Sequence, residues 1–124
     1  MLSYLLWEIH EYPSQPVSVE INGDGYRVID VWQFPNDQIT LWKPLSEVSR
    51  TNIEKVLEQA NYWKWEREYY NSDIIDGTTW SIKVRAGKTG GRRKNSEGVN
   101  DYPQGWDEIA EAMEALKYTF AAKM

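Results

Sequence analysis

The stretch Asp76–Ile109, DGTTWSIKVRAGKTGGRRKNSEGVNDYPQGWDEI, decides the fold of this chain. After an Asp-Gly turn, Thr78, Trp80, Ile82 and Val84 alternate with polar side chains. Alternation with a period of two is typical of a strand that buries one face. The stretch then runs through a polar basic ribbon and a corner rich in Gly, Asn and Pro, and ends in the first turn of a helix. It therefore predicts a scaffold of strand, hairpin and helix.

The basic ribbon predicts the returning half of a hairpin. Between Lys83 and Lys94 lie six basic residues, three glycines and no acid. We expect a polar β-hairpin over residues 76–97 at the edge of a sheet, where Lys and Arg side chains prevent pairing with other chains. A basic strand of this kind also suggests phosphate binding, but no aromatic residues are interleaved with the cations, and an edge hairpin is favoured.

A C-terminal helix is predicted over residues 103–122. Its acidic residues fall in the first turns and its lysines near the end, the arrangement that the helix dipole favours. Apolar side chains recur at spacings of three and four and form one stripe for burial against the sheet. The stripe consists of Trp106, Ile109, Met113, Leu116 and Phe120.

The first part of the chain predicts a β-meander over residues 1–45, followed by a helix over residues 46–62. Val17, Val19 and Ile21 alternate with polar residues, and turn-forming Gly, Asn and Pro separate this strand from its neighbours. The predicted strands are 4–12, 17–22, 26–34 and 38–43. In the helix, Thr51 and Glu54 fit a capping box, although Ser46 or Ser49 would start the helix earlier.

These elements predict a single α+β domain over residues 1–124. Its antiparallel sheet would have about five to six strands, with two helices packed on one face. A chain of 124 residues is long enough for one core, and its seven Trp and eight Tyr supply bulky apolar volume.

Composition disfavours several functional classes. The net charge of −5 and the pI of about 4.9 disfavour a general nucleic-acid or anionic-membrane binder, and favour a basic protein partner or simple solubility. The chain has no Cys, so disulfide and thiolate chemistry are excluded. The opening MLSYLLWEIHEY has no basic segment and is interrupted by Glu8 and His10, so we expect neither a signal peptide nor a membrane span, and a cytoplasmic location.

The sequence contains no complete catalytic motif. His10 is the only histidine, which leaves nucleophile–histidine pairs and zinc sites without their usual ligands. Gly87-Lys88-Thr89 resembles the end of a P-loop, but Ile82 stands where that motif needs glycine. Paired carboxylates would suit a glycosidase, and a small enzyme remains an alternative. We predict no catalytic residues, no metal site and no cofactor.

The predicted partner-binding residues are aromatic and acidic. The segment ANYWKWEREYYNSD combines rings with carboxylates in an extended or irregular stretch, and the first turns of the C-terminal helix add exposed acids. The alternative for the rings is that they cap the core. The residues are Trp65, Glu66, Glu68, Tyr69, Tyr70, Asp107, Glu108 and Glu111.

The pattern DG-T-x-W-S-I-x-V, a polar hairpin and S-x-G-x-N-x-Y-P-x-x-W-x-x-I resembles the C-terminal half of many small uncharacterised bacterial proteins. Some of these look like immunity proteins of contact-dependent or polymorphic toxin systems, and others are phage or orphan proteins. The resemblance covers about residues 53–118 and has no catalytic residues to carry over. The matching positions are Asp76, Gly77, Trp80, Ile82, Ser96, Gly98, Asn100, Tyr102, Pro103, Trp106 and Ile109.

The motif also predicts geometry. Gly98 and Asn100 suit positive-φ positions between a strand and a helix, and Pro103 suits the first helical turn. Trp80 and Trp106 should then face each other between the sheet and the helix.

We therefore expect an immunity-type binding protein that neutralises a cognate toxin with a basic surface, such as a nuclease, by direct contact. Acidic side chains would steer it onto that surface. The alternatives are a phage or mobile-element inhibitor of a host nucleoprotein complex and a small enzyme. We expect no direct nucleic-acid or membrane contact, and the oligomeric state stays open.

Overall fold

A computed structural model describes residues 2–11, 16–30, 42–71, 77–87 and 91–122. Within these ranges the chain forms seven strands and two α-helices, and a short 3-10 helix, Tyr62–Lys64, follows the first of them. The strands are β1 (Leu2–Glu11), β2 (Val17–Ile21), β3 (Gly25–Asp30), β4 (Lys43–Pro44), β5 (Glu68–Tyr70), β6 (Thr78–Ala86) and β7 (Arg92–Val99). The helices are α1 (Glu47–Gln59) and α2 (Trp106–Ala122).

All seven strands belong to one sheet with the order β4-β3-β2-β1-β6-β7-β5. The strands β1 to β4 are consecutive neighbours, and the β6–β7 hairpin docks on the free side of β1. Trp7 of β1 lies opposite Val19 on one side and Ile82 on the other, so β1 is the central strand of the sheet. The predicted α+β class is confirmed.

The sheet has more strands than predicted, and it is mixed. The additional strand is β5, which pairs in parallel with β7, Tyr69 lying opposite Gly98. Three residues carry too little periodicity to be recognised in sequence, and the pairing depends on where the chain arrives after α1.

The β6–β7 hairpin is not at the edge of the sheet, and that part of the prediction is wrong. The segment between α1 and β5 runs beside β7 and is attached to it. The Tyr62 hydroxyl lies 2.8 Å from the carbonyl oxygen of Lys94, and the Ser96 hydroxyl donates to the carbonyl of Glu66 at 2.9 Å. The Lys94 ammonium donates to the carbonyl of Trp65. Backbone bonds from Glu97 to Arg67 and from Asn71 to Val99, on either side of the β5 pairing, occupy the side of β7 that would otherwise be free.

One face of the sheet packs against both helices. Leu5 and Trp7 of β1, together with Ile82 and Val84 of β6, point to that side and are buried, as their alternation in the sequence predicts. The apolar stripe of α2 is buried against them. Its members are Trp106, Ile109, Met113, Leu116 and Phe120.

The helix α1 begins earlier than the capping box predicts. Ser46 is the N-cap, and its hydroxyl accepts a hydrogen bond from the Ser49 amide at 3.1 Å. Thr51 therefore lies inside the helix, and Glu54 accepts a bond from the Leu2 amide instead. The predicted box is wrong because the earlier serine caps the helix.

The corner before α2 depends on Asn100 and Gly77. Asn100 has a positive φ of 55°, as predicted, and its side-chain oxygen accepts a bond from the Thr78 amide at 2.7 Å. A Cβ at Gly77 would lie 1.7 Å from that same oxygen. The glycine after Asp76 thus leaves room for the asparagine that closes the corner.

Gly98 and Pro103 have other roles than predicted. Gly98 is not among the positive-φ residues, and a Cβ there would lie 2.4 Å from the indole nitrogen of Trp80. It is needed because the indole lies directly against the strand. Pro103 precedes the helix, and its carbonyl accepts a bond from the Trp106 amide at 3.1 Å, where α2 begins.

Part of the predicted meander lies outside the described residues. The third strand is described only as far as Asp30, so residues 31–34 of the prediction are not covered. The connection between the predicted strands 26–34 and 38–43, and most of the second of these strands, fall in the same gap.

Candidate functional site

The side of the sheet opposite the helices is the candidate site, and we call it the open face. Because side chains alternate along a strand, it is formed by the residues between those of the core. Among the described residues, both helices lie on the other side. The open face includes Tyr4, Leu6, Glu8 and His10 of β1, Thr79, Ser81, Lys83 and Arg85 of β6, Arg93, Asn95, Glu97 and Val99 of β7, and Glu68 and Tyr70 of β5.

One end of the open face is basic. Arg85 lies directly opposite Arg93, and Lys83 lies opposite Asn95 in the next pair. With Arg67 they line a concave region of about 490 Å³ whose lining contains no acidic residue. Like charges directly opposite each other on neighbouring strands are destabilising.

None of these four cations forms an ion pair with another described residue. The guanidinium of Arg85 lies over the ring of Tyr4, 5.7 Å from its centroid. Within the described ranges, the positive charge of this end is therefore not neutralised by an acidic side chain. We call Arg67, Lys83, Arg85 and Arg93 the basic half.

The other end of the open face is acidic. Glu8 lies opposite Ser81, Ser81 opposite Glu97, and Glu97 opposite Glu68, so one row across four strands carries three carboxylates. This row, which we call the acidic row, borders a concave region of about 590 Å³. The Tyr70 ring, 69% exposed, stands beside the row.

A hydrogen-bonded network on β1, β2 and β3 lies beside the basic half. The Tyr4 hydroxyl donates to Glu20 at 2.7 Å, and Glu20 also forms an ion pair with Arg27 at 2.8 Å. Burial, and then the hydrogen bond to Glu20, raise the pKa of Tyr4 to about 12. Glu20 is thus satisfied within the protein and does not neutralise the basic half.

The predicted aromatic–acidic segment is only partly exposed. Glu66, Glu68 and Tyr70 are exposed at the β5 edge. Trp65 is 5% exposed, and its indole N–H donates to the carbonyl of Ala60 at 2.9 Å. Tyr69 is half-buried against Trp80, with ring centroids 6.0 Å apart. For these two rings the alternative interpretation, that they complete the core, is the correct one.

The predicted acids of α2 lie on a different surface. Asp107, Glu108 and Glu111 are exposed on a helix that covers the opposite side of the sheet from the open face. The structure therefore divides the predicted set in two, one part at β5 and one part on the helix layer. The acidic row joins Glu68 to Glu8 and Glu97.

Sequence reasoning did not find Glu8, Glu97 or the pairing of Arg85 with Arg93. The alternation of each strand predicts which side chains share a face, and that signal was present. The register between β1 and β6 joins residues far apart in the chain, so it cannot be read from local pattern.

The described ranges contain no arrangement of side chains that suits a metal site. His, Asp and Glu side chains there form no group of three or more that is placed to hold a metal. A cavity of about 440 Å³ between α1 and the hairpin is bordered by Arg92, which lies 4.0 Å from the Trp63 ring centroid and 3.6 Å from a Glu58 carboxylate oxygen.

In the part of the chain that is described, no helix combines the length and hydropathy needed to cross a membrane.

Comparison with protein-family models, with curated proteins and with solved structures finds no match for this chain.

Proposed function

We propose that this protein is an immunity-type binding protein, which neutralises a cognate bacterial toxin by direct contact through the acidic row of its open face. The observation that carries the proposal is that Glu8, Glu68 and Glu97 stand in one row and form no ion pair with any other described residue. Glu68 and Glu97 are directly opposite each other, so their repulsion is relieved when a basic surface is bound.

The kind of partner follows from this charge. Nucleases bind polyanionic substrates through basic surfaces, and an acidic row that covers such a surface blocks access to the substrate. Opposite charges also speed association, which suits an inhibitor that must act before its target does. The resemblance of about residues 53–118 to small bacterial proteins, some of which look like immunity proteins, supports the same role.

Tyr70 is the candidate anchor beside the acidic row. It is a large ring that is 69% exposed next to carboxylates, and tyrosines in such positions often supply much of the energy of an interface. Replacing Tyr70 with Ala should weaken the complex by about 2 kcal/mol.

Co-expression with the product of the neighbouring upstream gene tests the proposal. The wild-type protein should protect cells from that product and should co-purify with it. If it neither protects nor binds, the proposed function is wrong.

A matched pair of variants locates the interface. The double variant Glu68→Lys/Glu97→Lys reverses two charges of the acidic row, and Glu108→Lys/Glu111→Lys reverses two on α2. We expect the first to abolish protection and the second to retain it, with both proteins folded by circular dichroism. Loss of protection only in the second variant would place the interface on the helix layer instead.

A further inference from the structure

The basic half of the open face keeps an arrangement that costs stability in the isolated protein. Arg85 and Arg93 are directly opposite each other on β6 and β7, and Lys83 follows on the same face. No described carboxylate pairs with any of them. Lys94, although near, is already bound to the carbonyl of Trp65 through its ammonium. A bound anion would remove the repulsion.

The shape of the basic half suits a small number of carboxylates. Its concave region of about 490 Å³ is lined by Arg67, Lys83, Arg85 and Arg93, and Asn95, the register partner of Lys83, also lines it. Guanidinium groups bind carboxylates through two parallel hydrogen bonds, and Arg85 and Arg93 are register partners on neighbouring strands of this face.

The acidic row decides between a protein segment and a nucleic acid. Glu97 lies two residues along β7 from Asn95, which is about 7 Å, so a phosphate chain that leaves the basic half in this direction meets carboxylates. Among the described residues that line this concave region the one ring is Tyr4, and the Arg85 guanidinium lies over one of its faces, where a base would have to stack. A short peptide segment avoids both obstacles, because its charge is confined to its Asp and Glu side chains and its binding needs no stacked ring.

We propose that the basic half is a second binding site, which takes a short Asp/Glu-rich segment of a protein partner. Carboxylates of the segment pair with Arg85, Arg93 and Lys83, and Asn95 donates to the backbone or to a further carboxylate. The proposal does not depend on toxin neutralisation by the acidic row, because the two charged regions are different sets of residues.

Titration with a blocked oligoglutamate peptide carrying a fluorophore tests the site. Fluorescence anisotropy is measured at about 20 mM salt, where screening is weak, and again at about 150 mM. The wild-type protein should bind the peptide, and the affinity should fall at the higher salt concentration. If the wild-type protein does not bind at about 20 mM salt, the proposal is overturned.

Two double variants with equal charge change make the test specific. Lys83→Glu/Arg93→Glu reverses two charges in the basic half, and Lys55→Glu/Lys64→Glu reverses two exposed charges on α1 and the 3-10 helix. We expect the first to weaken binding roughly tenfold or more and the second less than about twofold, since charged contacts act at short range. Equal losses would overturn the proposal, because they would show binding to net charge alone.

A competition experiment separates the two classes of partner. Unlabelled oligothymidylate is added to the complex of protein and labelled peptide. Weak or no displacement supports a site for acidic protein segments. Displacement at lower concentrations than unlabelled oligoglutamate would overturn the proposal in favour of a nucleic-acid site. The assay contains no toxin, so its failure and the failure of toxin protection are observed separately.

Discussion

Trp80 of the sheet and Trp106 of α2 pack with their ring centroids 4.7 Å apart and their planes inclined by 47°. Both rings are buried, and Trp106 also contacts Trp7 on the central strand at 6.4 Å between centroids. One residue of α2 thus connects the helix to β6 and to β1. The sheet and the last helix are held together at this point.

Replacing Trp106 with Ala should lower the free energy of unfolding by about 3–5 kcal/mol, because a large core side chain is removed and a cavity remains. Urea denaturation followed by circular dichroism measures the change. Tyr118, which is 78% exposed on the same helix, supplies the control, and its replacement by Ala should change stability by less than about 0.5 kcal/mol. Near-wild-type stability of the Trp106 variant would contradict the packing described.

Replacing Gly98 with Ala should destabilise the protein by about 1–3 kcal/mol. The added Cβ would lie within 2.4–2.7 Å of three atoms of the Trp80 indole, so the ring must move out of its packed position. Gly23 is the matched control, because a Cβ there has no neighbour within 4 Å. Thermal denaturation should show a clear loss for the first variant and no loss for the second. Equal melting temperatures would mean that Gly98 is not required by the indole.

Replacing Arg93 with Glu should stabilise the isolated protein by about 0.2–1 kcal/mol, since a cross-strand repulsion with Arg85 becomes an attraction. Urea midpoints at low and high salt measure the effect, which should shrink as salt increases. Arg93→Gln removes the repulsion without adding an attraction, so its stability should lie between those of the wild type and Arg93→Glu. A less stable Arg93→Glu protein would show that Arg93 has a favourable contact in the native state.

Alkaline pH should destabilise the fold through Tyr62. Burial raises the pKa of the Tyr62 hydroxyl above the unfolded value of 10.0, so the native state holds its proton more tightly than the unfolded chain. This contribution to stability is complete below about pH 10 and is lost as the pH rises above it.

The Tyr62→Phe variant tests this titration. At neutral pH it should be less stable by about 1–2 kcal/mol, because the hydroxyl proton that is shared between the carbonyls of Lys94 and Ile82 is removed. Above pH 10 its free energy of unfolding should fall less steeply than that of the wild type, by about 1.4 kcal/mol per pH unit. Urea titrations at several pH values measure both free energies. If they fall in parallel with pH, Tyr62 ionises equally in the native and unfolded states.

Local pattern predicted the elements that bury one continuous stripe. Trp80 is recognisable because it alternates with polar neighbours on β6, and Trp106 because it begins a helical stripe, so their contact follows from the two periodicities. Asn100 was identified because few residues other than glycine accept its positive φ. These signals are contained within a few residues of sequence.

What the sequence did not reveal depends on long-range placement. Gly98 was assigned to a turn although its role is to admit the Trp80 ring, a neighbour from another strand. For Trp65 the local pattern left two alternatives, exposure beside acids or burial in the core; its N–H reaches the carbonyl of Ala60, a contact far from the strand pattern that makes burial possible. The opposition of Arg85 and Arg93 required the hairpin register, which the alternation of a single strand does not determine.

The position of β1 in the middle of the sheet has a consequence for folding kinetics. β1 can pair with β2 early, since only a short connection separates them, but its other neighbour β6 lies beyond α1 and β5 in the sequence. Such non-local pairing has a high contact order and slows folding to about milliseconds to seconds. Until the hairpin arrives, one side of the central strand is an unpaired template for other chains. We therefore expect the rate of hairpin docking to set the balance between productive folding and aggregation.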